Sequence, residues 1–267
     1  MTRNHGVKPM VDYIAGLALK AKARVGSGFY DEVQAGKRSS KGLAETIRKV
    51  ERTPVITEVK FASPSAGKIR EHVDPLRIAR AMLRGGACAI SVLTDPEDFR
   101  GSMDTLVDLS REVDVPLVMK DIIVSPVQVR AAARAGARAV VLISELFSRE
   151  LTDEPLDRLV RETSGLGVEV LLEANSPEEF RTLLEHKPDL YGINNRNLST
   201  FQLDLATTER VLAMNSHVDR PVVSESGIEN PRDIVRLKNA GAEAFLVGTS
   251  IMKSPDVESK VRELVNA

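Results

Sequence analysis

Pro54-Val-Ile-Thr-Glu-Val-Lys60, continued by Phe-Ala-Ser-Pro-Ser-Ala-Gly67, is the stretch from which the fold of this chain can be worked out. Its first half predicts a buried strand, because an apolar, β-rich run is bounded by Pro54 and by a cluster of Ser, Pro and Gly. Glu58 and Lys60 are two residues apart, so both side chains lie on the same face of that strand. An unpaired charge in an apolar interior is costly, so this pair of charges at a strand end indicates a functional site.

Apolar runs that end in polar side chains recur along the chain, as in Val118-Met-Lys-Asp121, Leu171-Leu-Glu173 and Gly192-Ile-Asn-Asn-Arg196. From residue 54 onward, such runs alternate with longer amphipathic segments. We predict strands at 54–60, 88–93, 116–122, 138–143, 168–173, 189–194, 221–225 and 244–248. The predicted helices include 74–85, 125–135, 176–186, 204–214 and 231–240. Eight alternating units favour a parallel sheet that closes into a (β/α)8 TIM barrel, an α/β fold.

Short signals mark the predicted junctions. A Gly-Ala pair precedes three strands, as expected of helices that end in the left-handed conformation, at Arg84-Gly-Gly-Ala87, Arg134-Ala-Gly-Ala137 and Asn239-Ala-Gly-Ala242. Capping residues stand before Pro at four helix starts, Asp74-Pro75, Ser125-Pro126, Ser176-Pro177 and Asn230-Pro231. The alternative, an open doubly wound sheet, is weakened because no Gly-x-Gly-x-x-Gly follows the first strand.

Residues 1–53 lie outside this repeat. Segments near 8–24 and 40–51 look helical and polar on one side. We therefore predict that residues 1–53 form an N-terminal helical extension. This extension packs on the barrel of residues 54–267, so that the whole chain is a single domain.

The composition limits the classes of function. The 267 residues have a net charge of −1 and only 4% aromatic residues, which argues against a nucleic-acid binder. No apolar run approaches the roughly 18–20 residues that a membrane span needs. Cys88 is the one cysteine, and we interpret it as a small core residue of a protein in a reducing compartment. We expect a cytoplasmic protein that binds neither nucleic acid nor membrane; its oligomeric state stays open, and a monomer is compatible with the sequence.

In barrels of this kind the active site lies at the C-terminal ends of the strands. The polar residues at the predicted ends are Glu58 and Lys60 on strand 1, Lys120 on strand 3, Glu173 on strand 5, Asn194 and Arg196 on strand 6, and Ser224, Glu225 and Ser226 on strand 7. Converging lysines and glutamates balance each other's charge and tune each other's pKa for proton transfer. Any one of them alone would also fit a salt bridge at the rim, but independent strands rarely all end this way.

Two glycine-containing segments, Ser224-Glu-Ser-Gly-Ile228 and Phe245-Leu-Val-Gly-Thr-Ser250, follow strands 7 and 8. A Gly beside a hydroxyl residue at a strand end exposes backbone N–H groups to an anion. Loops in these two positions are the frequent phosphate site of barrels. The pattern therefore predicts phosphate binding there, the alternative being a turn that simply tolerates glycine.

Histidine and metal chemistry are not predicted. His72, in Arg70-Glu-His-Val-Asp74, has donor atoms nearby but no recurring metal-ligand spacing, so we interpret it as part of a solvated loop. His5, His186 and His217 lie in extensions or at helix ends. Arg130, Arg134 and Arg138 are interpreted as the solvent-facing side of an Ala-rich helix. We predict no metal and no cofactor.

In combination, the motifs resemble those of the indole-3-glycerol-phosphate synthases of tryptophan biosynthesis, a family of (β/α)8 barrels with an N-terminal helical extension. The likeness covers residues 8–252. It is carried by Glu58-Val-Lys60 with Ser63-Pro-Ser65, Ile90-Ser-Val-Leu-Thr94, Phe99-Arg-Gly-Ser102, Lys120-Asp121, Gly192-Ile-Asn-Asn-Arg-Asn197, Ser224-Glu-Ser-Gly227 and Val247-Gly248. The resemblance implies a lyase that converts 1-(2-carboxyphenylamino)-1-deoxyribulose 5-phosphate to indole-3-glycerol phosphate by ring closure, decarboxylation and dehydration. Its partner is that small phosphosugar–anthranilate substrate.

The resemblance also implies roles for individual residues. Lys120 matches the main general acid, Lys60 the lysine that contacts the substrate carboxylate, and Glu173 the general base for dehydration. Which lysine acts at which step stays open. The supporting catalytic residues are Glu58, Asn194 and Ser226. The residues that match substrate or phosphate binding are Ser63, Phe99, Arg196, Gly227, Gly248 and Thr249.

One departure is Ile122, where the family usually has Phe. Ile keeps an apolar wall for the anthranilate ring but loses aromatic contacts worth about 0.5–1.5 kcal/mol. Ser144-Glu145, after strand 4, is more polar than we expect at that position.

Two other functions compete with this one. A ribulose-phosphate isomerase would share the phosphate loops but would not need Lys60, Lys120 and Glu173. A non-catalytic paralogue would bind a phosphorylated ligand as a sensor or partner, and the intact catalytic set argues against it.

Overall fold

The computed structural model describes residues 12–64, 67–70, 73–215 and 218–267. Several residues named above lie outside these ranges. They are His5, Ser65, His72, His217 and the segment 8–11 at the start of the first predicted helix.

Within the described residues, eight parallel strands form a closed barrel. They are β1 (Val55–Val59), β2 (Ala89–Leu93), β3 (Leu117–Lys120), β4 (Ala139–Ile143), β5 (Glu169–Ala174), β6 (Leu190–Asn194), β7 (Val222–Glu225) and β8 (Ala244–Val247). The ring closes because β1 pairs with both β2 and β8. The predicted TIM barrel is therefore confirmed, and every predicted strand is present with its ends shifted by two residues or fewer.

The helices follow the predicted alternation. They are α1 (Tyr13–Gly26), α2 (Leu43–Lys49), α3 (Pro75–Gly85), α4 (Met103–Glu112), α5 (Pro126–Ala135), α6 (Ser144–Ser148), α7 (Leu156–Gly165), α8 (Pro177–Leu183), α9 (Ala206–Met214), α10 (Pro231–Ala240), α11 (Thr249–Lys253) and α12 (Val257–Val265). The helix predicted over 176–186 ends at Leu183, before a turn in which Lys187 has a φ of 46° and precedes a proline. A short hairpin, Ala62–Ser63 with Gly67–Lys68, follows β1.

The predicted junction signals have the expected geometry. The three helix-ending glycines adopt the left-handed conformation, at Gly86, Gly136 and Gly241. Asp74, Ser176 and Asn230 each accept a hydrogen bond from a first-turn backbone N–H. At the fourth start, Oε1 of Gln128 accepts from the N–H of Ser125 instead. These local contacts explain why the boundaries could be predicted from short motifs.

Buried apolar side chains form two clusters. One joins the outer surface of the barrel to the surrounding helices, with residues such as Val129, Leu159 and Leu237. The other fills the barrel interior and includes alternate strand residues such as Ile56 and Val141. Cys88 lies buried in this second cluster, as predicted for a core residue.

Helices α1 and α2, which precede the barrel in the described part of the chain, contact opposite ends of it. The backbone N–H groups of Leu43 and Ala44, at the start of α2, donate to the carboxylate of Glu169, where β5 begins. Helix α1 instead contacts the C-terminal ends, since Arg24 forms an ion pair with Asp95, two residues beyond β2. The domain boundary at residues 53 and 54 stays a prediction. No helix of the described ranges is long and apolar enough to cross a bilayer.

Candidate active site

The C-terminal ends of the strands surround a cavity of about 380 Å³. Ser224, named among the polar residues at the end of strand 7, does not line this cavity; it is buried, and its hydroxyl contacts Asn195 and Thr208. The lining contains every residue to which the sequence assigned a catalytic or binding role. They are Glu58, Lys60, Ser63, Phe99, Lys120, Glu173, Asn194, Arg196, Ser226, Gly227, Gly248 and Thr249. The structure thus brings them together in one place, while their individual roles remain proposals.

Lys120, the last residue of β3, is bound between the carboxyl groups of two glutamates. Its Nζ donates to Oε2 of Glu173 at 2.8 Å and to Oε2 of Glu225 at 2.6 Å. Burial alone would disfavour the ammonium, but the carboxylates of Glu173, Glu225 and Glu58 outweigh it and raise the pKa of Lys120. The side chain is therefore held as an ammonium in the cavity.

Glu173, near the end of β5, has a second hydrogen-bond donor. Nδ2 of Asn194 donates to its Oε1 at 2.9 Å. Burial opposes ionisation of Glu173, but the Lys120 ammonium and these hydrogen bonds prevail and lower its pKa. Glu173 is a carboxylate at neutral pH, ready to accept a proton once Lys120 moves or reacts.

Glu225, at the end of β7, behaves differently from Glu173. Its side chain is 1% exposed, and its Oε1 has no hydrogen-bond partner among the described residues. Burial raises the pKa of Glu225 to about 8, since the attraction of Lys120 is smaller and the neighbouring Glu173 carboxylate repels a second negative charge. Near neutral pH, Glu225 therefore carries a proton for much of the time.

Gly192 makes room for this arrangement. It lies on β6, between the strands that carry the two carboxyl groups, and is paired with Glu173. A Cβ on Gly192 would lie 2.7 Å from Oε1 of Glu225 and 3.4 Å from Cα of Glu173. Any side chain at this position would displace the carboxyl of Glu225, so the close approach requires glycine.

The second charged pair lies on β1 and just after it. Nζ of Lys60 is 2.7 Å from Oε1 of Glu58, and the two side chains are 17% and 3% exposed. Together with Lys120, Glu173 and Glu225, this pair forms a set of two amines and three carboxyl groups within the cavity lining. The proton on Glu225 therefore brings this set close to neutrality before any anionic substrate binds.

The predicted phosphate loops lie side by side at this cavity. Ser226 and Gly227, after β7, have φ values of 69° and 81°, and Gly248 immediately precedes helix α11. Oγ of Ser250 donates to the carbonyl of Ile228 at 2.8 Å and so joins the two loops. The first N–H groups of a helix have no partner within the helix, which makes this junction suited to an anion.

Arg196 follows β6 and is held by its own neighbours. Its backbone N–H donates to Oδ1 of Asn194 at 2.9 Å, and its Nη1 donates to the carbonyl of Phe201 at 3.2 Å. Burial lowers the pKa of Arg196, but a guanidinium stays charged at any physiological pH. The residue adds a fixed positive charge to the lining.

Other predicted features have structural explanations. Glu145 accepts hydrogen bonds from Ser199 at 2.8 Å and from Arg149 at 3.2 Å, so the polar residues after β4 hold the loop that follows β6. His186 lies outside the cavity, with Nδ1 2.5 Å from Oδ1 of Asp157. In the described ranges, no group of three or more His, Cys, Asp or Glu side chains could hold a metal ion. The prediction that the protein uses neither metal nor cofactor remains a prediction.

Comparison with known proteins agrees with this geometry. A family model described as indole-3-glycerol phosphate synthase matches residues 17–264. The chain belongs to the indole-3-glycerol phosphate synthase family. A protein of that name from Rhodopirellula baltica is 45% identical over 211 residues, which cover 79% of this chain and 80% of the relative. Another of the same name, from Azospirillum brasilense, is 38% identical over 239 residues, covering 87% and 89%.

Solved structures show the same architecture at low identity. Thiamine phosphate pyrophosphorylase from Pyrococcus furiosus has a TM-score of 0.58 and 20% identity, covering 79% of this chain and 93% of that one. An N-acetylmannosamine-6-phosphate 2-epimerase from Clostridium perfringens has a TM-score of 0.61 and 14% identity, covering 81% and 93%. Likeness at this level supports the barrel fold alone.

The sequence analysis missed some residues that line the cavity of this indole-3-glycerol phosphate synthase family member. Glu225 was named as a strand-end residue but given no role. Tyr13 and Leu17 come from α1, and Phe201 comes from the loop after β6. The rings of Tyr13 and Phe201 meet edge to face, with centroids 4.6 Å apart. No local sequence pattern indicates which end of a barrel a preceding helix covers. The apolar part of the lining that α1 supplies therefore could not be predicted from the sequence.

Ile122 also lies in the lining and is 4% exposed. It stands two residues after Lys120, where the resemblance leads us to expect Phe. Together with Phe99, Tyr13 and Phe201 it gives the cavity an apolar side. Aromatic surface is therefore present in the cavity although position 122 does not supply it.

Proposed function

We propose that this chain catalyses the indole-3-glycerol-phosphate synthase reaction of tryptophan biosynthesis. It converts 1-(2-carboxyphenylamino)-1-deoxyribulose 5-phosphate to indole-3-glycerol phosphate, carbon dioxide and water. One observation carries the proposal. The partly buried Lys120 ammonium, bound to Glu173 and Glu225, shares a cavity with the glycine-containing loops after β7 and β8. An acid, a base and an anion site in one cavity are what this substrate needs.

The first step is ring closure, in which Lys120 is the general acid. The aromatic carbon that bears the carboxylate attacks the ketone carbon, and the carbonyl electron pair moves onto oxygen. A positioned ammonium stabilises that charge and transfers a proton to it. An alkoxide is far more basic than an amine, so this transfer remains favourable although the carboxylates raise the pKa of Lys120. The carboxylate then leaves as carbon dioxide, and its bonding electrons restore the aromatic ring.

The last step is dehydration, in which Glu173 is the general base. Glu173 accepts a proton from the ring methylene carbon next to the nitrogen, the hydroxyl group takes a proton from a lysine ammonium of the cavity and leaves as water, and the double bond of the indole forms. Asn194 holds the Glu173 carboxylate at its second oxygen, which leaves the first for Lys120 or for the proton. Because the Glu173 carboxyl group and the Lys120 amine are in direct contact, the proton that Glu173 accepts can return to Lys120, which gave up its own proton in ring closure.

Lys60 and the loops bind the two anionic ends of the substrate. We assign Lys60, oriented by Glu58, to the substrate carboxylate, and Ser63, Gly227, Gly248 and Thr249 to the phosphate. Arg196 and Phe99 contact the substrate, and Ser226, beside the phosphate loop, is a supporting catalytic residue. An ammonium group suits the substrate carboxylate, and backbone N–H groups at the start of a helix suit the phosphate.

We further propose that the enzyme acts in the cytoplasm on this small molecule alone, without nucleic acid, membrane or cofactor. The single buried cysteine and the net charge of −1 support this setting. The oligomeric state stays open, and a monomer is compatible with the sequence.

A steady-state assay of indole-glycerol-phosphate formation tests the proposal. The wild-type chain should form product, and Lys120→Ala should lower kcat by at least ~10²-fold. The phosphate loops lie elsewhere in the cavity, so the variant should still bind substrate. A chain that isomerises ribulose phosphates instead, or that binds the substrate without turnover, would contradict the assignment. If Lys120→Ala kept more than about a third of the wild-type kcat, Lys120 would not be the general acid.

A further inference from the structure

Asp121, the residue that follows Lys120, belongs to a buried polar network that the mechanism above does not use. Its side chain has no exposed surface. Oδ2 accepts from Oγ1 of Thr94 at 2.7 Å and from the hydroxyl of Tyr30 at 3.0 Å, and Oδ1 accepts from the N–H of Ile122 at 2.7 Å. The carboxylate therefore fixes the chain at the point where Lys120 enters the cavity.

Arg24, in the last turn of α1, supplies the positive charge of this network. Its Nη2 lies 2.6 Å from Oδ2 of Asp95 and 3.5 Å from Oδ1 of Asp121, and its side chain is 7% exposed. Its Nη1 also donates to Glu97 at 3.2 Å. One guanidinium thus neutralises two buried carboxylates at the ends of β2 and β3, where an uncompensated pair would be strongly destabilising.

The same helix also holds the loop after β2. Lys20 forms an ion pair with Asp98 at 2.8 Å, and the N–H of Asp98 donates to Oδ1 of Asp95 at 2.7 Å. Phe99, in the cavity lining, follows directly. Helix α1 therefore contacts two strand ends that carry site residues, one with Lys120 and one leading to Phe99.

We propose that Arg24 and Tyr30, both in the segment that precedes the barrel, are positioning residues for Lys120 and act on it through Asp121. The segment is then part of the catalytic apparatus and not only a cover on the barrel. Tyr30 is 1% exposed and is fixed in turn by Gln128, whose Nε2 donates to its hydroxyl at 3.2 Å and to the carbonyl of Ile122 at 2.8 Å. The Tyr30 hydroxyl that donates to Asp121 is thus itself held in place, as a positioning role requires.

The acid dependence of activity follows from the charges around Asp121. The groups that face it are Arg24 and Tyr30 from the preceding segment and Asp95 from the end of β2. Burial raises the pKa of Asp121 to about 6, and Thr94 and Arg24 hold it from rising further. Removing Arg24 should raise it again, so the ionised Asp121 that the network needs would be lost at a higher pH.

The test compares Arg24→Met, Arg24→Lys and Tyr30→Phe with the wild type in the synthase assay. Arg236→Met is the matched control, because Arg236 is an exposed arginine that pairs with Glu209. The measurements are kcat, KM and the pH profile of kcat, all per mole of folded enzyme. We expect kcat to fall by roughly 10–100-fold in Arg24→Met and by several-fold in Tyr30→Phe, since misplacing a catalytic group slightly has effects of this size. KM should change little, and the acid limb should move to higher pH in Arg24→Met and less in Arg24→Lys.

A purely structural role would lower the melting temperature while kcat and the acid limb stayed at their wild-type values, and that result would overturn the inference. If Arg24→Met does not fold, Tyr30→Phe decides, because it keeps the volume and removes one hydroxyl. The inference rests on Lys120 as the acid. Failure of that assignment would appear separately, as an active Lys120→Ala variant, whatever the Arg24 variants do.

Discussion

Gly248 lies against Glu58 so closely that a Cβ on Gly248 would be 2.6 Å from Oε1 of Glu58, the oxygen that holds Lys60. The contact arises because β8 pairs with β1 in the closed barrel. The proposed phosphate loop and the Glu58–Lys60 pair are therefore packed as one unit. A substitution in the loop should therefore displace the Glu58–Lys60 pair, and a substitution in the pair should displace the loop.

Gly248→Asp should strongly weaken substrate binding. The new carboxylate would repel both the phosphate and Glu58, and a like charge in a binding site costs several kcal/mol, so KM should rise on the order of 100-fold. Gly165→Ala is the control, because Gly165 ends helix α7 with nothing within 4 Å of an added Cβ. Its kinetic constants should match the wild type. A crystal soak that places phosphate away from Gly227, Gly248 and Thr249 would refute the assignment.

Glu225→Gln should flatten the pH dependence of stability. The pKa of Glu225 rises from its ordinary value of 4.5 to about 8 on folding. Between these values the folded chain keeps a proton that the unfolded chain has lost, so the stabilisation from that proton is complete below 4.5 and is lost as the pH rises through 8. Glu173 has its pKa lowered and titrates below this window. Glutamine has no such proton to lose.

The measurement for Glu225 is the melting temperature at about pH 5.5 and about pH 8.5, on either side of most of this transition. Wild type should lose more stability than Glu225→Gln over this interval. Glu178→Gln, a change at an exposed position in helix α8, is the control and should follow the wild type. Parallel curves for wild type and Glu225→Gln would show that Glu225 is already ionised at neutral pH.

Ile122→Phe should improve substrate binding. Ile122 lies in the cavity lining, and a ring there would regain aromatic contacts worth about 0.5–1.5 kcal/mol, so KM should fall by roughly 2–10-fold. Ile122→Leu keeps an aliphatic side chain and should leave KM near the wild-type value. If the phenyl ring raised KM, the cavity beside position 122 would already be filled, and the anthranilate ring would lie elsewhere.

The fold could be predicted because its signals are local. The helix-ending glycine before β4 and the cap before α8 act within a few residues, so Gly136 and Ser176 mark boundaries without knowledge of the rest of the chain. The membership of the site could be predicted for a different reason. Parallel strands of a barrel end at the same rim, so polar side chains that point inward at the strand ends, such as Lys120, meet in one region of the molecule.

The pairing within that region could not be predicted. The sequence placed Lys60 on strand 1 and Glu173 on strand 5 but assigned no partner to Glu173, and the structure shows that Glu173 forms an ion pair with Lys120. Which carboxyl keeps a proton depends on burial by distant elements and on the room that Gly192 leaves for Glu225. The contacts of α1 with Asp95 and Asp121 depend on a long-range docking that no short motif encodes.

The division of labour between Lys120 and Glu173 is the central claim, and Glu173→Gln tests it most directly. Glutamine keeps the size and hydrogen bonding of the residue but cannot accept the proton lost in dehydration, while Lys120 retains its bond to Glu225. Single-turnover kinetics should follow carbon dioxide release and indole appearance separately, with Glu178→Gln as the control for a carboxylate-to-amide change.

In Glu173→Gln we predict that carbon dioxide appears first and indole follows after a lag, because ring closure and decarboxylation are impaired less than water loss. In the wild type and in Glu178→Gln the base is intact, so indole should follow carbon dioxide without this lag. If both signals slow by the same factor in Glu173→Gln, without a lag, Glu173 would not act as a base specific to dehydration, and the proposed division would be contradicted.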